Sequence, residues 1–113
     1  MEFIITELKH CDLVEIHGRI DSYTAPRINE AINALVSDGH CNLVFDFSKV
    51  TFISSSGILA LVNAQKKCML NYSGRIIITS IPELVYSGFE LAGFDQLFEF
   101  YDDAAAAVGS FNG

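Results

Sequence analysis

Residues 50–62 read VTFISSSGILALV: two apolar runs with Ser54, Ser55, Ser56 and Gly57 set between them. This stretch decides the fold. The residues before it, NLVFDF (42–47), form a short and almost continuous apolar run, the pattern of a strand buried inside a sheet covered by helices. After SKVTFISSSG the period changes, and a helix is expected from about Ser56 to Tyr72, with Ile58, Leu61, Val62 and Met69 as its buried stripe. The serines therefore stand where a loop turns into a helix. One serine oxygen accepting a backbone N–H is enough to cap a helix start. Capping alone does not account for three.

Working outward, the runs Phe3–Leu8 and Leu13–Ile20 read as two strands joined at KHCD, a hairpin. In the second run Val14, Ile16, Gly18 and Ile20 fall on one face and Glu15, His17 and Arg19 on the other, which marks a strand with one wet face. DSYTAPRINEAINALVSDG then carries Ile28, Ala31, Ile32 and Leu35 at helical spacing. Thr24 is placed to cap this helix, Pro26 to fit its first turn, and Asp38-Gly39 to end it. RIIIT (75–79) is a further interior strand. SIPELVYSGFELAGF opens a helix with Ser80 and Glu83 at capping-box spacing and closes it at Gly93. LFEFY (97–101) is a short alternating strand, and DDAAAAV a last helix with its acids at the favourable end. The order β-β-α-β-α-β-α-β-α shows no repeat and no linker. It predicts one α/β domain over residues 1–113, with a mostly parallel sheet, an initial antiparallel hairpin and about four helices.

Composition narrows the function. Half of the 113 residues are hydrophobic and 19% are charged, enough apolar material for a core. Fourteen acids against seven bases give a net charge of −7, which disfavours nucleic acid, since phosphate binding needs clustered Lys and Arg. The balance suits a protein that meets another protein, one with a basic face included. No apolar run approaches the roughly 18 residues of a membrane span, so no membrane insertion is expected. MEFIITELKH lacks the basic start and cleavage site of a signal peptide, and the expected location is the cytoplasm. Cys11, Cys41 and Cys68 form no metal-ligand spacing and read as reduced, buried packing residues. No P-loop or dinucleotide fingerprint occurs, and neither cofactor nor metal is expected.

The serines carry a sharper possibility than capping. A helix N-terminus offers free N–H groups and partial positive charge, and so accommodates a phosphate. Gly57 removes bulk and is expected to let an anion or another protein reach the backbone. A serine nucleophile is a poorer reading. His10, His17 and His40 lie in or beside strands and a turn, and SSSG is not the G-x-S-x-G elbow. The expectation is a protein that is not an enzyme.

GRIDSYTAPRI (18–28), followed by LVFDFSKVTFISSSGILAL (43–61), resembles the STAS domain, the sulfate-transporter and anti-sigma-factor-antagonist module, and the resemblance runs over essentially the whole chain. It implies a binding switch. The antagonist traps an anti-sigma factor that is itself a serine kinase, the kinase inactivates it by phosphorylating the first serine of an Asp-Ser-Ser-Gly motif, and a serine phosphatase restores it. Carried onto this chain, that serine is Ser55, with Ser56 as runner-up. The partner-binding surface implied by the resemblance comprises Asp21, Tyr23, Thr24, Asp46, Ser54, Ser55, Ser56, Gly57, Ile58 and Leu59. For Asp21, flanking the serine loop and capping its own turn are both open; for Asp46, local capping is preferred. Tyr23, Phe47, Ile58 and Leu59 can be read as a contact patch or as core. Two positions depart from the family pattern: Ser54 stands where an acid is usual, and Leu59 where a second glycine is usual. The Ser54 departure supports an alternative, a constitutive STAS subunit or scaffold of a larger regulatory or transporter complex that is never phosphorylated.

Overall fold

The computed structural model describes residues 2–111. Five strands, β1 (Glu2–Glu7), β2 (Asp12–Ile20), β3 (Asn42–Ile53), β4 (Arg75–Thr79) and β5 (Glu99–Tyr101), lie in the order β1-β2-β3-β4-β5. The hairpin β1–β2 is antiparallel and every later pair is parallel, as the alternation of periods predicts. Helix α1 (Ala25–Ser37) crosses from β2 to β3, α2 (Ser55–Tyr72) from β3 to β4, and α3 (Glu83–Ala92) from β4 to β5. Helix α4 (Ala104–Gly109) follows β5, and a single 3-10 turn covers Asp95–Leu97. Because each crossover steps one strand further in the same direction, the three crossing helices share one face of the sheet.

The strand alternation sorts the core accordingly. Leu43, Phe45, Phe47, Ile76 and Ile78 point toward α1, α2 and α3, where Ile28, Ile32, Leu61, Cys68, Val85 and Phe89 meet them. Val44 and Ile77 point the other way, onto Ala107 and Val108 of α4. All three cysteines are free and buried; burial is the main cause that pushes the Cys68 thiol up to about 12.

Several local readings are corrected. Strand β3 does not stop at Phe47 but runs 12 residues to Ile53, because β2 continues to pair with it as far as Ile20↔Ile53. Two register shifts, between Glu15 and His17 and between Gly18 and Arg19, give β3 two more residues than the stretch of β2 it faces. On α2, Met69 is 59% exposed and Cys68 takes its place in the core. Leu61, Ala64 and Cys68 follow the i, i+3, i+7 spacing of one helix face, and Met69 falls beside it.

Two of the three expected caps are absent. Thr24 makes no side-chain cap on α1, its hydroxyl being committed to the turn before it. Ser80 makes no capping box with Glu83. It adopts φ +54 and donates its hydroxyl to the Asp102 carbonyl, tying the end of β4 to the end of β5, while Pro82 stands at the cap position of α3. Gly93 does close α3 in the left-handed conformation, φ +79. Asp103 caps α4 by accepting from Ala106 N–H at 2.7 Å.

Candidate functional site

Ser54 is the whole connection between β3 and α2. Its backbone is extended, its N–H donates to the carbonyl of Ile20 at 2.7 Å, and its own carbonyl accepts the first helical bond, from Ile58 N–H at 3.0 Å. The Ser54 hydroxyl accepts from Gly57 N–H at 3.2 Å, so Ser54 is the cap. The hydroxyls of Ser54 and Ser56 lie 3.0 Å apart and share a hydrogen bond. Ser55, the first residue of α2, is exposed and its hydroxyl takes no part in that pair. The N–H groups of Ser55 and Ser56 belong to the first helical turn and have no carbonyl above them to bond.

Gly57 serves a purpose different from the one expected. It is buried, and a Cβ there would meet Ile20 Cγ2 at 2.6 Å, Ile53 Cγ1 at 3.0 Å and the Ile20 carbonyl oxygen at 3.3 Å. The missing side chain lets the helix start sit on the ends of β2 and β3. It does not open the backbone to a visitor. Ile58 is likewise corrected: at 2% exposure it belongs to the core, as does Phe47, so neither offers a contact surface. Leu59, one residue on, is 48% exposed, and Tyr23 is 90% exposed.

The same end of β2 carries the aspartate turn. Asp21 Oδ1 accepts from the N–H groups of Tyr23 and Thr24 at 3.0 and 3.2 Å, and the Thr24 hydroxyl accepts from Asp21 N–H at 2.8 Å while donating to the Arg19 carbonyl at 2.9 Å. Desolvation pulls the Asp21 carboxyl up, but the Thr24 and Tyr23 amides, the Thr24 hydroxyl and the Arg19 guanidinium outweigh it and hold the group below its ordinary value. Asp21 thus orders the turn it sits in. Its neighbour Arg19 approaches Asp21 Oδ2 at 3.6 Å and lies over the Phe52 ring at 4.3 Å, joining the turn to the strand residue two before Ser54. Sequence reasoning missed Arg19 and Phe52. They face each other only through the shifted register Arg19↔Phe52, which no periodicity reveals.

Asp46 stands apart from this cluster. Its Oδ1 accepts from Ser48 N–H at 2.9 Å, the local bond expected, but it lies mid-strand in β3 and on the α4 side of the sheet. Six residues of strand lie between it and Ile53, roughly 20 Å along the sheet. The structure therefore gathers Asp21, Tyr23, Thr24, Ser54, Ser55, Ser56 and Leu59 past the C-terminal ends of β2 and β3, and leaves Asp46 out.

His10 and His40 lie at the opposite end of the sheet, where β2 begins, and His17 is held by Glu2 at 3.4 Å. What the serine start offers chemically is an exposed hydroxyl and a helix N-terminus, with an apolar groove of about 290 Å³ alongside, floored by Phe52 and Ile53 and rimmed by Leu84 and Leu91 of α3.

A one-residue strand-to-helix link capped by Ser54 thus lies beside the Asp21–Thr24 turn. Residues 2–107 match the family model of the STAS domain. The chain belongs to the STAS domain family. This STAS domain is 28% identical over 101 residues to the anti-sigma-F factor antagonist RsfB of Mycobacterium tuberculosis, covering 89% of this chain and 81% of that one. It is 27% identical over 90 residues to the anti-sigma-B factor antagonist of Listeria monocytogenes, covering 80% and 77%. Among solved structures it is similar to an anti-sigma factor antagonist from Mycobacterium paratuberculosis, with a TM-score of 0.84, 25% identity, and 99% and 94% of the two chains covered. No helix among the described residues is long and apolar enough to cross a membrane.

Proposed function

We propose that this STAS domain is an anti-sigma factor antagonist: a non-catalytic switch that binds an anti-sigma factor serine kinase in the cytoplasm and releases it when Ser55 is phosphorylated. The curated relatives named as antagonists of anti-sigma factors support the role. The observation that carries the choice of residue is the division of labour among the serines. Ser54 caps α2 and Ser56 bonds to Ser54, which leaves the Ser55 hydroxyl exposed and uncommitted at the first helical position.

A phosphate on Ser55 adds about −1.5 to −2 charges at the positive end of α2, where the fold tolerates it. Its effect falls on the partner, as lost complementarity around Tyr23, Leu59 and the Asp21 turn. A serine phosphatase would reset the switch. The Ser54 hydroxyl makes the cap bond that an acid at this position also makes, so the departure from the family pattern leaves the helix start intact.

The test is binding to the cognate anti-sigma factor with ATP present. Ser55→Ala should bind as the wild type does and accept no phosphate. Ser55→Asp should bind about tenfold more weakly, ~1.4 kcal/mol, because one carboxylate reproduces neither the charge nor the shape of a phosphate. If both variants bind like the wild type and are still phosphorylated, Ser55 is the wrong residue. The constitutive-scaffold reading is favoured by Ser54 in place of the usual acid. It predicts co-purification with a non-kinase assembly and no phosphorylation at any serine of the start.

A further inference from the structure

The end of the sheet remote from Ser55 holds a second cluster of polar side chains. Glu7, the last residue of β1, faces Asp12, the first of β2, across the antiparallel pair. His40 reaches the same place from the loop after α1. That loop is fixed by Gly39 in the left-handed conformation, φ +82, and by the bond from His40 N–H to the Leu35 carbonyl at 2.9 Å. His40 Nδ1 lies 2.8 Å from Asp12 Oδ2, and one ligand atom from each of the three residues falls within 4.8 Å of the others. Nothing in the serine switch uses them.

From this convergence we propose that Glu7, Asp12 and His40 form a binding site for a divalent transition-metal ion, zinc foremost. Three separate segments deliver one donor each, and each is held by backbone structure. Asp12 is 4% exposed, a buried carboxylate bonded to one imidazole, with a second carboxylate directly opposite and Asp38 acting on the same imidazole. Like charges opposite each other across a strand pair are unfavourable, and a bound cation removes that cost. Lys9 lines the concavity there but makes no ion pair with Glu7 or Asp12 among the described residues.

The donor set also selects the ion. One imidazole with two carboxylates suits zinc, cobalt or manganese. Zinc ligands at about 2.0–2.1 Å from the metal stand roughly 3.3 Å apart, so the Asp12–His40 contact must open by about half an ångström and the exposed Glu7 side chain must close in. A concavity of about 210 Å³, lined by His10 and Asn42 besides the three donors, gives an ion access from solvent and leaves a coordination position for water.

The experiment is titration of the full chain, stripped with a chelator, with zinc chloride by calorimetry and with cobalt chloride by absorption. One ion per chain should bind at micromolar Kd, with visible d–d bands for cobalt and a higher melting temperature. His40→Gln and Glu7→Gln, both at accessible positions, should each weaken binding at least tenfold and abolish the cobalt bands. His17→Gln, which alters the other acid–histidine contact, should change nothing. No stoichiometric binding, wild-type binding by both cluster variants, or loss of binding in His17→Gln overturns the proposal.

Discussion

Gly57 is where a single atom matters most. An added Cβ meets Ile20 and Ile53 in a part of the core with no room to yield, since both isoleucines are themselves buried and one of the atoms it meets is the Ile20 backbone oxygen. Gly57→Ala should therefore lower stability by about 1–3 kcal/mol in thermal or denaturant unfolding, against the ~1 kcal/mol that the better helix former would otherwise add. A neutral or stabilising result would mean that the helix start shifts freely. Asp21 gives a pH prediction. Its carboxyl is held below the ordinary 3.8, so its stabilisation of the turn is present above that value and is lost as pH falls through the lower folded-state value. In an NMR titration the Tyr23 and Thr24 amides should therefore move with a midpoint below the ordinary 3.8. The serines and Asp21 could be picked out in the sequence by residue type and neighbours. Ile58 against Leu59, and Cys68 against Met69, could not. Adjacent apolar residues differ only in which side of α2 meets the sheet, and the close approach at Gly57 helps to set that.

At the scale of elements, β3 and α2 act as one unit with Ser54 as the joint. Ser54→Ala removes the bond to Gly57 N–H and frees the Ser56 hydroxyl, and should cost about 1 kcal/mol in denaturant unfolding. Phosphorylation at Ser55 should survive the change. Strand β3 has two hydrogen-bonded neighbours only as far as Asp46↔Thr79; beyond it β2 is the one partner. Amide exchange should thus be at least about tenfold slower over residues 43–46 than over residues 48–53. Equal protection in the two halves would contradict this. The existence and type of each element followed from the change between two-residue and helical periods. The length of β3 did not, because its last six residues, 48–53, are held by a pairing with β2 that is a property of both strands together. The misread of Ser80 has the same origin: its partner, the Asp102 carbonyl, is 22 residues away, and a capping box is a purely local pattern.

For the whole molecule, the strand order and the helices gathered on one face follow from consecutive crossovers in one direction, so the architecture was legible from element order. The grouping of the site was legible only in part. Asp21 and the serines meet because β2 and β3 end together, whereas Asp46 is carried off by the added length of β3. A rigid carrier with an exposed switch residue should transmit little inward. Ser55→Asp should leave the melting temperature within about 2 °C of the wild type and confine backbone shift changes to the first turn of α2 and the Asp21 turn. The central claim, that Ser55 is the residue modified, is tested most directly by intact-mass spectrometry with fragmentation site mapping. The protein would be purified from its native cells across growth and stress conditions. The account predicts a gain of one phosphate, mapped to Ser55, whose occupancy changes with condition. Phosphate on Ser56 instead, or an unmodified mass under every condition, would contradict it.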